Sequence, residues 1–164
     1  MQATKDDWAR AYATQAISDL DAREALVRAG SEKCHRLHFL QMAAEKACKA
    51  HLAYGGNDVK KSHAYVASNL PIIARHFFSV MNDNNQMARW EIAQIKRLAR
   101  EIEMLAPACA HGEFREDNSE YPWEDGKGKV CTPCEYSFPK IDDGDRAIIR
   151  LIRLIRTASE SYRR

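Results

Sequence analysis

A chain of 164 residues is long enough to bury a hydrophobic core and is most simply a single domain. Its 25 Lys and Arg residues nearly balance its 23 Asp and Glu residues, so the net charge of +2 does not by itself indicate a nucleic-acid-binding protein. No apolar run is long enough to span a bilayer, and the N-terminus is too polar for a signal peptide, so we expect a cytoplasmic location and no membrane association. Five cysteines at irregular spacing are more typical of a reducing compartment than of a disulfide framework.

The first predicted helix is capped by Thr4 and runs to about Arg28. Asp6 and Asp7 lie in its first turn, where the helix dipole favours negative charge. Its inward positions recur at helical spacing and are Ala9, Ala13, Ala16, Ile17 and Leu20. Gly30 ends this helix almost where the next begins, so we expect the two helices to be antiparallel neighbours.

The second predicted helix runs from the N-cap Ser31 to Tyr54 and ends at the pair Gly55 and Gly56. Read at helical spacing, it has an alanine-rich stripe of Leu37, Leu40, Ala44, Ala47, His51 and Tyr54, and a polar stripe of His38, Gln41, Glu45 and Lys49. This pattern predicts a central helix that is buried on one side and faces a groove or a partner on the other. The alternative is a solvated stripe.

Two further helices follow a polar loop. The first begins near Ser62, and Pro71 predicts a kink or restart within it. The next runs from Met87 to Leu105, with an apolar stripe of Ile92, Ile95, Ala99 and Ile102 opposite a basic face of Arg89, Lys96, Arg97 and Arg100. His76, beside Arg75, is expected near that basic face.

Helical periodicity is lost between residues 106 and 143. The aromatic residues of this segment argue against disorder, so we expect it to lie along the bundle, anchored by Tyr121, Trp123 and Phe138. Asp142 or Asp143 is predicted to cap a last helix whose basic flank is Arg146, Arg150 and Arg153. Five helices and no strand indicate an all-α fold, an antiparallel up-and-down helical bundle with a long irregular segment before the last helix.

Three groups of residues together resemble the HEPN-domain family. The central helix and the loop after it supply Gln41, Ala43, Ala44, Glu45, Lys46, Lys49, Ala50, Lys61, Ser62 and His63, and the pairs Asp19-Leu20 and Tyr121-Pro122 lie before and after them. The resemblance implies a single HEPN-like domain over residues 1–164, a helical bundle and a homodimer. It also implies nucleotide- or RNA-linked binding in a bacterial toxin–antitoxin or defence system, often beside a nucleotidyltransferase partner.

The best-known activity of that family is metal-independent RNA cleavage by an Arg-x4–6-His motif near the last helices. Here the only match to the spacing is Arg28 with His35, which spans the turn at Gly30. This departure from the family pattern favours a binding protein without catalysis. The alternatives are a ribonuclease with a displaced site at Arg28 and His35, and a non-catalytic interaction scaffold.

Candidate ligand-binding residues are those of the polar stripe and the matched loop: Gln41, Glu45, Lys46, Lys49, Lys61, His63 and Tyr121. Lysines are point charges toward phosphate, and His63 is expected in the first turn of a helix, where free N–H groups attract anions. The alternative is that Glu45 pairs with Lys49 four residues away, while Lys46 and Lys61 are solvated.

The interpretation as a binding protein requires no cofactor. A structural zinc site is nevertheless a third possibility. Cys131 and Cys134 form a C-x2-C pair, and Cys109 and His111 lie upstream in the same irregular segment. Four such ligands could fix a loop that is otherwise hard to order. The alternative is that all four are reduced, unliganded side chains of a loop.

Overall fold

The computed structural model describes residues 3–59, 64–81, 89–107 and 115–164. Its five α-helices are α1 (Lys5–Arg28), α2 (Lys33–Tyr54), α3 (Val66–Met81), α4 (Arg89–Met104) and α5 (Arg146–Arg163). The predicted all-α helical bundle of five helices is confirmed. Among the described residues, no helix has the length and apolar character needed to cross a membrane.

The pair α1 and α2 forms an antiparallel hairpin. Thr4 and Asp7 form a capping box at the start of α1. At its end Gly30, with φ +66°, lets the N–H groups of Gly30 and Ser31 bond back to the last turn. Because Ser31 takes part in closing α1, the N-cap of α2 is Glu32, and the predicted N-cap role of Ser31 was wrong.

The helix α3 is continuous through Pro71, so the predicted restart was wrong and the alternative of a kink stays a prediction. Pro71 is the sixth residue of the helix and removes one backbone donor, the N–H that would have reached the carbonyl of Ala67. Burial of the flanking Leu70 and Ile73, both fully inaccessible, holds the helix together on either side. The predicted start at Ser62, like that of the next helix at Met87, lies outside the described residues.

The helices α3 and α4 form the second antiparallel pair. The Ala67 N–H at the start of α3 donates to Glu103 Oε2 near the end of α4, at 2.9 Å. Ala99 and Ile102 of the predicted apolar stripe are buried, whereas Ile92 and Ile95 are half-buried and Leu98, outside the stripe, is buried. The basic residues Lys96, Arg97 and Arg100 are exposed, as predicted, and the side chain of Arg89 lies outside the described part of the structure.

The segment between α4 and α5 contains a short hairpin of β1 (Trp123–Glu124) and β2 (Val130–Cys131), followed by a 3-10 helix (Pro133–Glu135). The expectation of no strand was therefore wrong. The strands are antiparallel with Trp123 opposite Cys131. Asp125 closes their turn because its carboxylate accepts the backbone N–H groups of Lys127 and Lys129.

Aromatic packing anchors this segment to the bundle. The rings of Trp123, Tyr136 and Phe138 meet edge to face, with centroid separations of 5.3 Å and 5.0 Å. Trp123 and Phe138 are buried, as predicted, whereas Tyr121 is 45% exposed and is no anchor.

The last helix runs in the same direction as α2, because Asp143 lies against Arg36 near the start of α2 while Tyr162 meets His51 near its end. The N-cap is Asp145, whose side chain accepts the Ala147 N–H, and the prediction of Asp142 or Asp143 was wrong.

Candidate functional site

The polar stripe of α2 is a row of hydrogen bonds inside the bundle. Gln41 Nε2 donates to Glu45 Oε2 at 3.1 Å, and Lys49 Nζ donates to Glu45 Oε1 at 2.6 Å. Gln41 is completely buried and Glu45 is 4% exposed, while the Lys49 side chain is 11% exposed. The row is therefore an internal ion pair with an amide, and only its lysine end approaches the surface. The predictions that Gln41 and Glu45 face a groove or are solvated were wrong, because both side chains are buried.

A second ion pair lies beside it between α1 and α2. Lys46 Nζ is 2.6 Å from Asp19 Oδ2, and Gln15 Nε2 donates to Asp19 Oδ1 at 3.1 Å. Asp19 is the matched aspartate of the first helix and is 5% exposed. Lys46 and Lys49, two of the predicted phosphate ligands, each already hold a carboxylate.

Two tyrosines enclose the ammonium of Lys49. Its Nζ lies 5.9 Å from the ring centroid of Tyr12 and 5.7 Å from that of Tyr65, a cation–π arrangement. The predicted ligands Lys61 and His63 lie outside the described residues. Among the described residues, the structure brings Gln41, Glu45 and Lys49 together as predicted and separates Tyr121 from them.

An aromatic groove of about 390 Å³ opens where α1 begins and α2 ends. Its lining includes Lys5, Trp8 and Tyr12 on α1, and Asn57 and Asp58 in the loop after α2. The Trp8 ring is 53% exposed and lies 5.9 Å from the Tyr12 ring. The groove is open to solvent, and it presents the exposed Trp8 ring beside the Lys5 side chain.

A cationic groove of about 250 Å³ lies between α3 and α4. Its charged lining residues are Arg75, Lys96 and Arg100, and Ser68 and Pro71 also line it. All three cationic residues are exposed, and within the described ranges none of them forms an ion pair. The four-residue spacing of Lys96 and Arg100 indicated a basic face, but only the packing of α3 on α4 places Arg75 opposite it.

The predicted catalytic pair is not assembled. Arg28 is exposed in the last turn of α1, and no hydrogen bond joins it to His35 among the described contacts. His35 lies in a different groove, of about 430 Å³, that Arg28 does not line. Catalysis by this pair remains a prediction without geometric support.

This third groove, which we call the thiol–histidine groove, runs between the start of α2 and the irregular segment. It is lined by Cys34, His35, His38, Ser119, Glu120, Tyr121, Pro122, Thr132, Pro133 and Cys134. His38 Nδ1 lies 3.3 Å from Glu120 Oε1 but in poor hydrogen-bonding alignment, since that nitrogen has no bonded partner. Tyr121 is thus found beside His35 rather than beside Lys49.

The proposed zinc ligands are only partly described. Cys131 is half-buried on β2 and Cys134 is exposed on the 3-10 helix, while Cys109 and His111 lie outside the described residues. Within the described ranges, no cluster of three or more His, Cys, Asp or Glu side chains could hold a metal ion. A zinc site that uses Cys109 and His111 stays a prediction.

Burial shifts three titratable groups near these features. It raises the pKa of the Cys34 thiol and, more strongly, that of Cys48 in the core. It also lowers the pKa of His51, with a smaller contribution from the charge of His76. His51 is therefore held neutral, and its Nδ1 lies 2.7 Å from the Tyr162 hydroxyl.

No protein-family model, curated protein or solved structure matches the chain. The site must therefore be interpreted from its own geometry.

Proposed function

We propose that this chain is an HEPN-like RNA-binding protein whose cationic groove, formed by Arg75, Lys96 and Arg100, holds the phosphates of a single-stranded backbone. The observation that carries this proposal is the convergence on one open groove of three cations, from two helices, that pair with no described carboxylate. The sequence resemblance and the helical bundle support the same function. The toxin–antitoxin or defence setting remains what that resemblance implies.

The distribution of ion pairs favours this groove over the polar stripe of α2. Lys46 and Lys49 are buried against carboxylates at 2.6 Å, so binding a phosphate there would require an existing ion pair to separate. Arg75, Lys96 and Arg100 need no such rearrangement. A phosphate that enters their groove exchanges condensed counterions for fixed cations, which is the main source of affinity for nucleic-acid backbones.

The lining of the groove favours backbone contacts over base recognition. Arginine can donate two parallel hydrogen bonds to one phosphate, while lysine acts as a point charge. Among the described residues, no aromatic side chain lines the groove, so they offer no stacking platform for bases. Glu103, which accepts the Ala67 N–H at the same end of α3, offsets part of the positive charge. We therefore expect binding with little sequence preference and strong dependence on salt.

The test is fluorescence anisotropy with labelled single-stranded RNA across a salt series. The groove variant carries Arg75→Gln, Lys96→Gln and Arg100→Gln, and the matched control carries Arg146→Gln, Arg153→Gln and Arg163→Gln, three exposed arginines of α5 that remove the same charge. If each groove residue meets one phosphate, the salt slope falls by roughly 2 in the groove variant and the affinity falls at least tenfold. Equal losses in both variants would contradict the proposal.

Two further measurements, of RNA degradation and of thermal stability, separate this proposal from the ribonuclease and from a mononucleotide-binding protein. RNA that is degraded by wild-type protein and spared by Arg28→Ala and His35→Ala would establish the displaced ribonuclease instead. Thermal stabilisation by ATP or GTP that Trp8→Ala removes, without RNA binding, would place a mononucleotide in the aromatic groove, where the exposed indole offers a stacking face. If the protein neither binds RNA nor is stabilised by ATP or GTP, the remaining alternative is the non-catalytic interaction scaffold.

A further inference from the structure

Two thiols from distant parts of the chain line the thiol–histidine groove. Cys34 is the second residue of α2 and is 2% exposed, while Cys134 is exposed on the 3-10 helix that packs against α2. Lys33 joins the start of α2 to the chain just after the 3-10 helix, because its Nζ donates to the carbonyls of Ser137 and Phe138 at 2.9 Å and 3.1 Å. The 3-10 helix is in direct contact with α2, so the two cysteines lie on neighbouring elements that line one groove.

The other described cysteines are placed differently. Cys131 is on β2, outside the groove lining, and its Sγ is directed toward the Lys129 carbonyl at 3.9 Å. Cys48 is completely buried in the helical core. Although Cys131 and Cys134 are the close pair in sequence, Cys34 and Cys134 are the pair that shares a solvent-accessible groove.

We propose that the thiol–histidine groove is an oxidative modification site, in which a hydroperoxide such as hydrogen peroxide converts Cys34 and Cys134 to a disulfide. Cys134 reacts first because it is the exposed member of the pair, and Cys34 is the buried partner that resolves it. This inference is independent of RNA binding.

The reaction proceeds in two balanced steps. The Cys134 thiolate attacks one peroxide oxygen, the O–O bond breaks, and the departing hydroxide takes up a proton to give water and Cys134 sulfenic acid. The Cys34 sulfur then loses its proton to solvent and attacks the Cys134 sulfur. The S–S bond forms, the S–O bond breaks, and the hydroxide that leaves becomes a second water. Two thiols are oxidised and one peroxide is reduced.

The surroundings of the two sulfurs agree with these roles. Burial raises the pKa of the Cys34 thiol, and the neighbouring charge of Cys134 raises it further, so Cys34 stays protonated while Cys134 faces solvent. His35 and His38 line the same groove, and an imidazole is a side chain that can accept a thiol proton.

The product would join the first turn of α2 to the irregular segment across the groove. Because Cys34 and Cys134 are distant in sequence, the bond closes a long loop and restricts the unfolded chain. The oxidised protein should unfold at a higher temperature than the reduced protein, and groove residues His35 and Tyr121 should be held in a narrower opening.

The test is non-reducing peptide mapping of the full chain after treatment with stoichiometric hydrogen peroxide. Trypsin cleaves after Lys33, Arg36, Lys129 and Lys140, which places Cys34 in one peptide and both Cys131 and Cys134 in another. The expected result is a cross-linked peptide pair that dithiothreitol separates. The Cys131→Ser variant must form the same cross-link, and the Cys134→Ser variant must lose it.

The outcomes that overturn the proposal are equally distinct. Loss of two hydrogens within the 130–140 peptide alone would show a Cys131–Cys134 disulfide, and a cross-link to Cys109 or to a second chain would show another pair. Sulfinic acid at Cys134 without any cross-link would show that Cys34 does not resolve it. Since the wild-type map decides between these products, the test does not depend on whether Cys34→Ser folds.

Discussion

Glu45 is the carboxylate on which the buried polar row of α2 depends. It accepts from Gln41 and from the ammonium of Lys49, and its side chain is 5% exposed. Replacing it with alanine leaves a buried ammonium without its carboxylate, which costs about 3–5 kcal/mol. We therefore expect Glu45→Ala to lower the free energy of unfolding by this amount in urea titrations followed by circular dichroism.

The control is an exposed ion pair of the same charge type. Asp21 is 61% exposed and pairs with Arg156, so Asp21→Asn should cost less than about 1 kcal/mol. The double variant Glu45→Gln with Lys49→Met removes both charges and should recover most of the loss. If Glu45→Ala is no more harmful than Asp21→Asn, the row does not stabilise the interior.

His51 makes the stability of the fold depend on pH. Its pKa lies below the ordinary value of 6.5 because it is partly buried beside the Tyr162 hydroxyl, so between the two pKa values the unfolded state binds more protons than the folded state. Stability therefore rises with pH up to about the unfolded pKa and falls as pH drops below it. Urea midpoints measured between pH 5 and pH 8 should show this decline.

His51→Gln should flatten that pH dependence, because glutamine keeps a hydrogen-bonding group but does not titrate. His35→Gln is the matched control, since His35 is exposed in the thiol–histidine groove. A slope unchanged by His51→Gln and abolished by His35→Gln would refute the assignment.

At the scale of elements, Asp142, Asp143 and Asp145 lie close together before α5 but make different contacts. Asp145 caps the helix by accepting the Ala147 N–H at 2.9 Å, so Asp145→Ala should cost about 1 kcal/mol. Asp143 bridges Arg23 and Arg36, whose nearest atoms are 2.5 Å and 2.9 Å away. Because Arg23 is only 7% exposed, Asp143→Asn should cost more than the cap.

Urea titrations of the single variants check this order, with Asp142→Asn as the mild control. Asp142 is exposed, and within the described part of the chain it accepts a single local turn N–H, from Gly144. A larger loss for Asp142→Asn than for Asp145→Ala would mean that Asp142 caps the helix after all.

Of the sequence signals for helix ends, glycine was more reliable than proline or capping residues. Glycines Gly30 and Gly56, both at positive φ, end α1 and α2 where the sequence predicted. Proline was a weaker guide, because burial of Leu70 and Ile73 compensates for the one backbone bond that Pro71 removes. Capping predictions failed at Ser31 and Asp143 because each of these residues serves another contact.

For the whole molecule, the resemblance to HEPN proteins predicts a homodimer. Light scattering coupled to size exclusion should then give twice the chain mass of 18.7 kDa, independent of protein concentration well above the dissociation constant. A single-chain mass at every concentration would contradict the prediction. The measurement should be repeated with the groove variant, so that a loss of RNA binding is not mistaken for a loss of assembly.

The sequence by itself determined the all-α fold, the bounds of α1 and α2 to within a residue or two, and the alignment of Gln41, Glu45 and Lys49. Those features follow from local spacing and from glycine geometry, which need no knowledge of distant neighbours. Tertiary structure alone decided that α5 runs alongside α2 in the same direction, that Lys46 holds Asp19, and that Arg75 faces Lys96 and Arg100. The pairing of charges, and therefore which lysines and arginines remain available to a ligand, depends on contacts between segments far apart in the chain, which periodicity cannot encode.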